Sequence, residues 1–129
     1  MPSLQIRTGE IKLEVLDDRG ETRGFFVFNP EDINTAKRLA DIQKEFKVTQ
    51  AEFEKRAETC ETQQEQINLL DEVCDYYRGL IDNCFGEGSS DILFGKAKTL
   101  GMFEDFINGI TPYYQEASKK RMAKYDIKK

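Results

Sequence analysis

Residues 67–84 read INLLDEVCDYYRGLIDNC, and the spacing of their apolar side chains is the clearest structural signal in the chain. One side of this stretch repeats apolar residues at intervals of three and four, at Ile67, Leu70, Cys74, Tyr77, Ile81 and Cys84. Such heptad spacing predicts a helix that packs against another helix. Two interpretations stay open: the stripe forms the core of an intramolecular bundle, or it binds a partner helix or a second copy of the chain.

The stretch that follows, CFGEGSSDILFGK at residues 84–96, has the glycines and the lysine of a phosphate-binding loop. The P-loop pattern fails at both ends, because Ser90 stands where its first glycine belongs and Ala97 follows the lysine. The dinucleotide-binding pattern fails at Asp91, and the register of calcium-binding loops fails at Cys84. We therefore expect a turn between two helices, with Ser90 capping a short helix.

Beyond this turn the sequence predicts short C-terminal helices. LGMFEDFINGI, residues 100–110, repeats large apolar residues at helical spacing. Thr111 and Pro112 are typical of a helix start, with threonine as the N-cap and proline in the first turn. Six basic and two acidic residues give residues 115–129 a net charge of +4. The whole chain has a net charge of −5, so residues 1–114 carry −9.

Upstream of the apolar stripe, FNPEDINTAKRLADIQKEF marks the end of a strand and the start of a helix. Pro30 ends the strand, and Asn29 or Asp32 can cap the helix that follows. That helix should run from about residue 32 into the fifties. Because its later part is polar on nearly every side, we expect an exposed stretch with a break between Phe46 and Glu61.

The N-terminal part has the pattern of a β-hairpin. Residues 11–16, IKLEVL, alternate apolar and charged side chains, and FFVF at residues 25–28 is rich in strand formers. The segment between them, DDRGETRG, is rich in turn formers. An isolated hairpin is only marginally stable in water, so this one must pack on helices or pair with another chain.

Together these elements predict an α+β, mainly α fold in which an N-terminal β-hairpin packs on a helical domain of four or five helices. A chain of this length fits a single domain, residues 1–129. Within it we distinguish a hairpin region at residues 1–29, long helices at residues 30–85 and short C-terminal helices at residues 86–129.

Composition argues against several functional classes. The chain has no histidine, which excludes catalytic mechanisms in which a histidine activates a serine or cysteine nucleophile. Its three cysteines lack the spacing of zinc or disulfide motifs. We expect no enzymatic activity, no metal and no cofactor. The acidic body argues against nucleic acid, and the chain lacks the apolar run of about 18 residues that a membrane span needs. Its first residues lack the apolar region of a secretory signal, so the expected compartment is the cytoplasm.

Three stretches taken in order, GFFVFNPEDINTAKRLADI, LLDEVCDYYRGLIDNCFGEGSSDILFGK and MFEDFINGI, resemble a known family. Its members are small proteins from tailed phages and prophages of low-GC Gram-positive bacteria, and they are regarded as tail assembly chaperones. The resemblance covers about residues 25–110, and the FGEG region is its most specific part.

The resemblance implies a non-enzymatic protein of the host bacterial cytoplasm. Such a protein binds the long helical tape-measure protein, keeps it soluble and promotes assembly of the tail tube around it. Its implied partners are the tape-measure protein, the tail-tube protein and further copies of itself, without nucleic acid, membrane or small-molecule substrate. Alternatives are a structural minor tail or connector protein that stays in the particle, and a small helical adaptor or regulatory protein.

Eight apolar residues are the candidates for the partner or self-association surface. They are Ile67, Leu70, Tyr77, Ile81, Phe85, Phe94, Phe103 and Phe106. The four phenylalanines have a competing interpretation as ordinary core packing. The resemblance supplies no map of the contacts, so the list depends on hydrophobic spacing and aromatic character alone.

Overall fold

The computed structural model describes residues 1–125, in which two strands and four helices follow one another. They are β1 (Ile11–Leu16), β2 (Thr22–Phe28), α1 (Ile33–Glu58), α2 (Gln63–Phe85), α3 (Ser89–Phe94) and α4 (Leu100–Lys124). This order confirms the predicted α+β, mainly α fold with an N-terminal hairpin and four helices. No helix in this part of the chain is long and apolar enough to cross a membrane.

The hairpin packs on the helices through its inner face. β1 and β2 are antiparallel, with Leu13 opposite Phe26, and their inward side chains alternate with exposed ones. The ring of Phe26 lies 5.3 Å from that of Phe85 and 5.6 Å from that of Phe106, both edge to face. Edge-to-face pairs at this separation add to the hydrophobic stabilisation, so the helices supply the packing that the hairpin needs.

The helical hairpin of α1 and α2 forms because both helices are capped and a short turn joins them. The carboxylate of Asp32 accepts a hydrogen bond of 2.9 Å from the backbone N–H of Asn34 at the start of α1. The hydroxyl of Thr62 does the same for the N–H of Glu65 at 3.1 Å in α2. The chain reverses at residues 59–62, and the end of α1 at Glu58 lies inside the interval where the sequence predicts a break.

The apolar stripe of α2 supplies much of the core. Its buried members on the predicted heptad positions are Cys74, Tyr77, Ile81 and Cys84. The bundle-core interpretation is therefore right for the C-terminal two thirds of the stripe. It is wrong for Ile67 and Leu70, whose exposed fractions are 51% and 46%, because no helix within residues 1–125 covers the N-terminal turns of α2 on that side.

The glycine loop is a turn, as predicted, but its capping differs from the prediction. Gly86 and Gly88 have φ angles of 114° and 88°, which glycine adopts without strain. The N-cap of α3 is Gly88, whereas Ser90 is buried inside the first turn. The carboxylate of Asp82 accepts bonds from the Ser90 N–H at 2.8 Å and its hydroxyl at 3.1 Å, so α2 itself holds the start of α3.

The prediction of short C-terminal helices is wrong for α4, which has 25 residues and passes through Thr111 and Pro112 without a break. Thr111 is not an N-cap, since its hydroxyl donates a 2.6 Å bond to the carbonyl of Ile107 one turn earlier. Buried residues lie on both sides of the proline, including Phe106 and Ala117, and their packing keeps the helix continuous. Of the basic C-terminal stretch, Lys128 and Lys129 lie outside the described residues.

Candidate functional site

An open groove of about 800 Å³ lies between α1, α2 and the N-terminal half of α4. Its apolar lining comes from all three helices: Phe46, Phe53, Leu69, Leu70, Val73, Tyr77, Leu100, Phe103 and Ile107. The volume falls within the range of about 300–1,000 Å³ that is typical of ligand-binding clefts.

The groove exists because α4 begins beside the middle of α2 and leaves the end of the α1–α2 hairpin uncovered. Lys98, just before α4, marks this position, since its ammonium lies 2.6 Å from the carboxylate of Asp71 and 2.9 Å from that of Asp75 on α2. α2 extends about two turns beyond Asp71 toward its own N-terminus. Of the apolar residues in these turns, Leu69 is buried, whereas Ile67 and Leu70 remain about half exposed.

Buried apolar side chains form the floor of the groove, and exposed ones form its lip. Phe103 and Val73 in the floor are 2% and 4% exposed, whereas Leu70 and Leu100 at the lip are 46% and 48% exposed. Ile67, 51% exposed, lies one turn before Leu70 on α2. Adjoining apolar residues that remain in water are typical of an interaction surface.

Polar and charged side chains border this apolar surface. They are Gln43, Lys47, Gln50, Glu54, Glu104 and Asn108. Below them, the buried hydroxyl of Thr49 and the phenol of Tyr77 are 3.1 Å apart and share a hydrogen bond. Since the hydroxyl of Tyr77, a lining residue, is bonded to Thr49 outside the groove, the groove offers a partner mainly apolar contact, with hydrogen bonds and charge at its edges.

The phenol of Tyr76 and the two buried thiols are held in their protonated forms. The phenol of Tyr76 donates a 2.6 Å bond to the carboxylate of Glu45, and this bond raises the pKa of Tyr76. All three cysteines are free thiols, and burial raises the pKa of Cys74 and brings that of Cys84 to about 11. Both buried thiols are therefore protonated at neutral pH and are poor nucleophiles. No group of three or more Asp, Glu or Cys within residues 1–125 is placed to hold a metal ion.

The eight sequence-predicted candidates do not form one surface. Leu70, Tyr77 and Phe103 line the groove, and Ile67 lies beside it. The other four lie in the core behind the groove and do not line it, although the ring of Phe94 packs 5.2 Å from that of Phe103: Ile81, Phe85, Phe94 and Phe106.

For those four residues the surface prediction is wrong. Ile81, Phe94 and Phe106 are 0%, 6% and 7% exposed, and Phe85 is partly buried against Phe26. Tyr77 and Phe103 are also buried, at 7% and 2%, so they can contact a partner only as the floor of the groove. The core-packing interpretation of the aromatic residues holds for these positions.

Sequence reasoning missed the contribution of α1 to the groove. Phe53 lies in the stretch for which the sequence predicts a polar, exposed helix, yet it is partly buried and lines the groove with Phe46. The two phenylalanines are seven residues apart, so they repeat with the heptad period of α2. That spacing was the available signal. Leu100 gave no comparable signal, because its place at the lip depends on where α4 begins.

With this geometry established, comparison with known proteins places the chain in a family. The model of the Family of unknown function (DUF6673) matches residues 24–129, so the chain belongs to that family. The match includes all three helices of the groove and begins within β2. No curated protein and no solved structure matches the chain.

Proposed function

We propose that this protein is a non-enzymatic tail assembly chaperone that binds an amphipathic helix of a phage or prophage tape-measure protein in the groove. It acts in the cytoplasm of the host bacterium, keeps the tape-measure protein soluble and promotes assembly of the tail tube. The observation that carries the proposal is the open apolar groove between α1, α2 and α4, with its exposed lip. The sequence resemblance to phage tail assembly chaperones supplies the identity of the partner.

The groove fits a helix better than it fits a small molecule. Its walls are themselves helices, and its apolar lip residues are spread over two of them, Leu70 on α2 and Leu100 on α4. An amphipathic helix anchors in such a groove through apolar side chains at positions i, i+3 or i+4, and i+7. A tape-measure protein is a long helical polymer that offers this pattern repeatedly.

Charge at the groove edge favours a partner helix with basic residues beside its apolar stripe. The border carries Glu54 and Glu104 against a single Lys47, and the chain is acidic as a whole. Complementary charge at the rim of an interface mainly raises the association rate and the specificity.

Co-expression with the tape-measure protein of the same tail gene cluster tests the proposal. The wild-type chain should keep the tape-measure protein soluble and purify with it. Leu70→Glu and Leu100→Glu should each weaken the complex by at least about tenfold, because each puts a charge where an apolar anchor would bind. Val48→Glu is the matched control, since Val48 is 63% exposed on α1 and does not line the groove.

Two outcomes would contradict the proposal. One is a tape-measure protein that stays insoluble while this chain purifies alone. The other is equal binding by Leu70→Glu, Leu100→Glu and Val48→Glu variants that all fold. Recovery of the chain from purified virions would instead favour a minor tail or connector protein, and capture of a different helical protein would favour an adaptor.

A further inference from the structure

The first seven residues form an arm that makes no regular secondary structure, although it has the sequence of a strand. Residues 1–7, defined here as the N-terminal arm, are all exposed, with Leu4 and Ile6 at 84% and 74%. These two apolar residues alternate with Ser3, Gln5 and Arg7, which is the period of a strand that is apolar on one face. The arm therefore has the pattern of a strand without a partner.

The outer edge of β1 is available for a further strand within the described residues. In the part of the chain that the structure describes, the sheet contains β1 and β2 alone, so no strand pairs with the outer edge of β1. Phe26 and Phe28 on the inner face of β2 are 2% and 4% exposed, whereas the inner residues of β1 are only partly buried. Those inner residues are Ile11, Leu13 and Val15. An open edge beside an incompletely covered apolar row is a template for another strand.

The arm is directed away from the β1 edge of its own chain. The side-chain amide of Asn29 donates bonds of 3.0 Å to the carbonyl and to the hydroxyl of Thr8. Gly9 follows with a φ of 103°, and a Cβ there would collide with the carboxylate of Glu31. These contacts carry the chain past the end of β2 toward the start of α1. The arm of the same molecule thus does not fold back along β1.

We propose that the N-terminal arm of one copy adds as a third strand to the β1 edge of a second copy. Leu4 and Ile6 then lie on the inner face beside the partly buried row of β1, and Gln5 lies on the outer face. Charge supports this occupant, since Arg7 is the only charged side chain of the arm. Residues 14–21, at the end of β1 and in its turn, carry four acidic residues and one basic residue.

This contact would supply a surface for the self-association that the proposed function expects. It is independent of tape-measure binding, because the arm and the groove share no residue. Each copy has an exposed N-terminal arm and an open β1 edge. A second copy can therefore pair its β1 edge with the arm of the first and its own arm with the first copy's β1 edge. A foreign strand would satisfy only the edge and would leave the arm in water.

Disulfide trapping between two singly modified chains tests the contact directly. In a Cys60→Ser background, which leaves only the two buried native thiols, one chain carries Gln5→Cys and the other Glu14→Cys. Residues opposite each other on paired strands have Cβ atoms about 4.5–5.5 Å apart, close enough for a disulfide. We expect a mixed disulfide, identified by mass spectrometry, and a weaker one with Lys12→Cys.

The matched control replaces Glu14→Cys by Phe25→Cys. Phe25 is 48% exposed on the same outer face and lies opposite Glu14 on β2, so it is one strand farther from the arm, about 5 Å more. The proposal expects far less cross-linking there. Equal cross-linking at β1 and β2 positions, or none at either β1 position, would overturn it.

The oligomeric mass gives a second and independent readout. The intact chain should have at least twice the mass of its 14.9 kDa monomer in light scattering, and deletion of residues 1–7 should reduce it to the monomer. Leu4→Ser together with Ile6→Ser should act like the deletion, whereas Gln5→Ser should not. An intact chain that is monomeric at every concentration, or an oligomer unchanged by the deletion, would refute the arm exchange. Whether the truncated chain still binds the tape-measure protein tests the proposed function and not the arm exchange.

Discussion

Arg78 joins three segments of the fold through a single side chain. From α2, its guanidinium donates bonds to the carbonyls of Ala97 at 3.0 Å and Gly95 at 2.7 Å, and to the carboxylate of Asp91 at 2.8 Å. It also lies 5.8 Å from the centre of the Phe94 ring. With only 13% of its side chain exposed, Arg78 fixes α3 and the connection to α4, on whose position the groove depends.

Replacement of Arg78 should therefore destabilise the protein measurably. We expect Arg78→Met to lower the free energy of unfolding by roughly 1–3 kcal/mol, because it removes charged hydrogen bonds from a partly buried site. Arg78→Lys should recover only part of this loss, since an ammonium group cannot reproduce the planar fork of donors. Urea denaturation followed by circular dichroism measures both effects.

Arg56 provides the matched control. It makes one ion pair of 2.8 Å with Glu72, and both side chains are about half exposed. Exposed pairs contribute little to stability, so Arg56→Met should change the unfolding midpoint far less than Arg78→Met. Equal effects of the two substitutions would mean that Arg78 does not hold the α3–α4 connection in place.

At the scale of elements, the sequence predicted best where the signal is local. The alternation in β1 and the three-four spacing in α2 are direct consequences of strand and helix geometry, and both elements form where those patterns lie. The prediction failed in α4, because Thr111 and Pro112 have the local chemistry of a helix start. Packing of Phe106, Ile110 and Ala117 on either side of them outweighs that preference.

Substitution of Pro112 measures how much the proline lowers the free energy of unfolding by lying inside the continuous helix α4. Proline has no N–H to donate within the helix and strains the preceding turn, and Pro112 is exposed. We expect Pro112→Ala to raise the free energy of unfolding by about 1–3 kcal/mol in urea denaturation. Pro30→Ala should have the opposite sign, since Pro30 is buried in the turn before α1. A loss of stability in Pro112→Ala would show that α4 needs a bend at the proline.

At the scale of the whole molecule, the groove depends on distances that no local pattern encodes. Its floor joins Phe46 of α1, Val73 of α2 and Phe103 of α4, which are far apart in sequence. The spacing of α2 predicted that Leu70 would meet a helix. It could not predict that α4 begins beside Asp71 and leaves Leu70 in water. Ile67 and Ile81 occupy the same heptad stripe of α2, so the sequence alone does not distinguish them. Only the placement of the other elements leaves Ile67 exposed and buries Ile81.

The groove and the arm give the molecule two separate apolar surfaces. One lies among helices and fits a helix, and the other lies at a sheet edge and fits a strand. A chaperone that coats a long partner in many copies needs one surface for the partner and another for its neighbours. We propose that the groove binds the tape-measure protein and that the arm with β1 serves self-association.

Site-specific photo-cross-linking tests the central claim, that the groove binds the tape-measure protein. Benzoylphenylalanine would replace Leu70 in one preparation and Val48 in another, each co-expressed with the tape-measure protein and irradiated. We predict cross-links from position 70 to tape-measure residues spaced three or four apart, and few from position 48. Equal cross-linking from both positions, or none from position 70 in a complex that still purifies intact, would contradict the account.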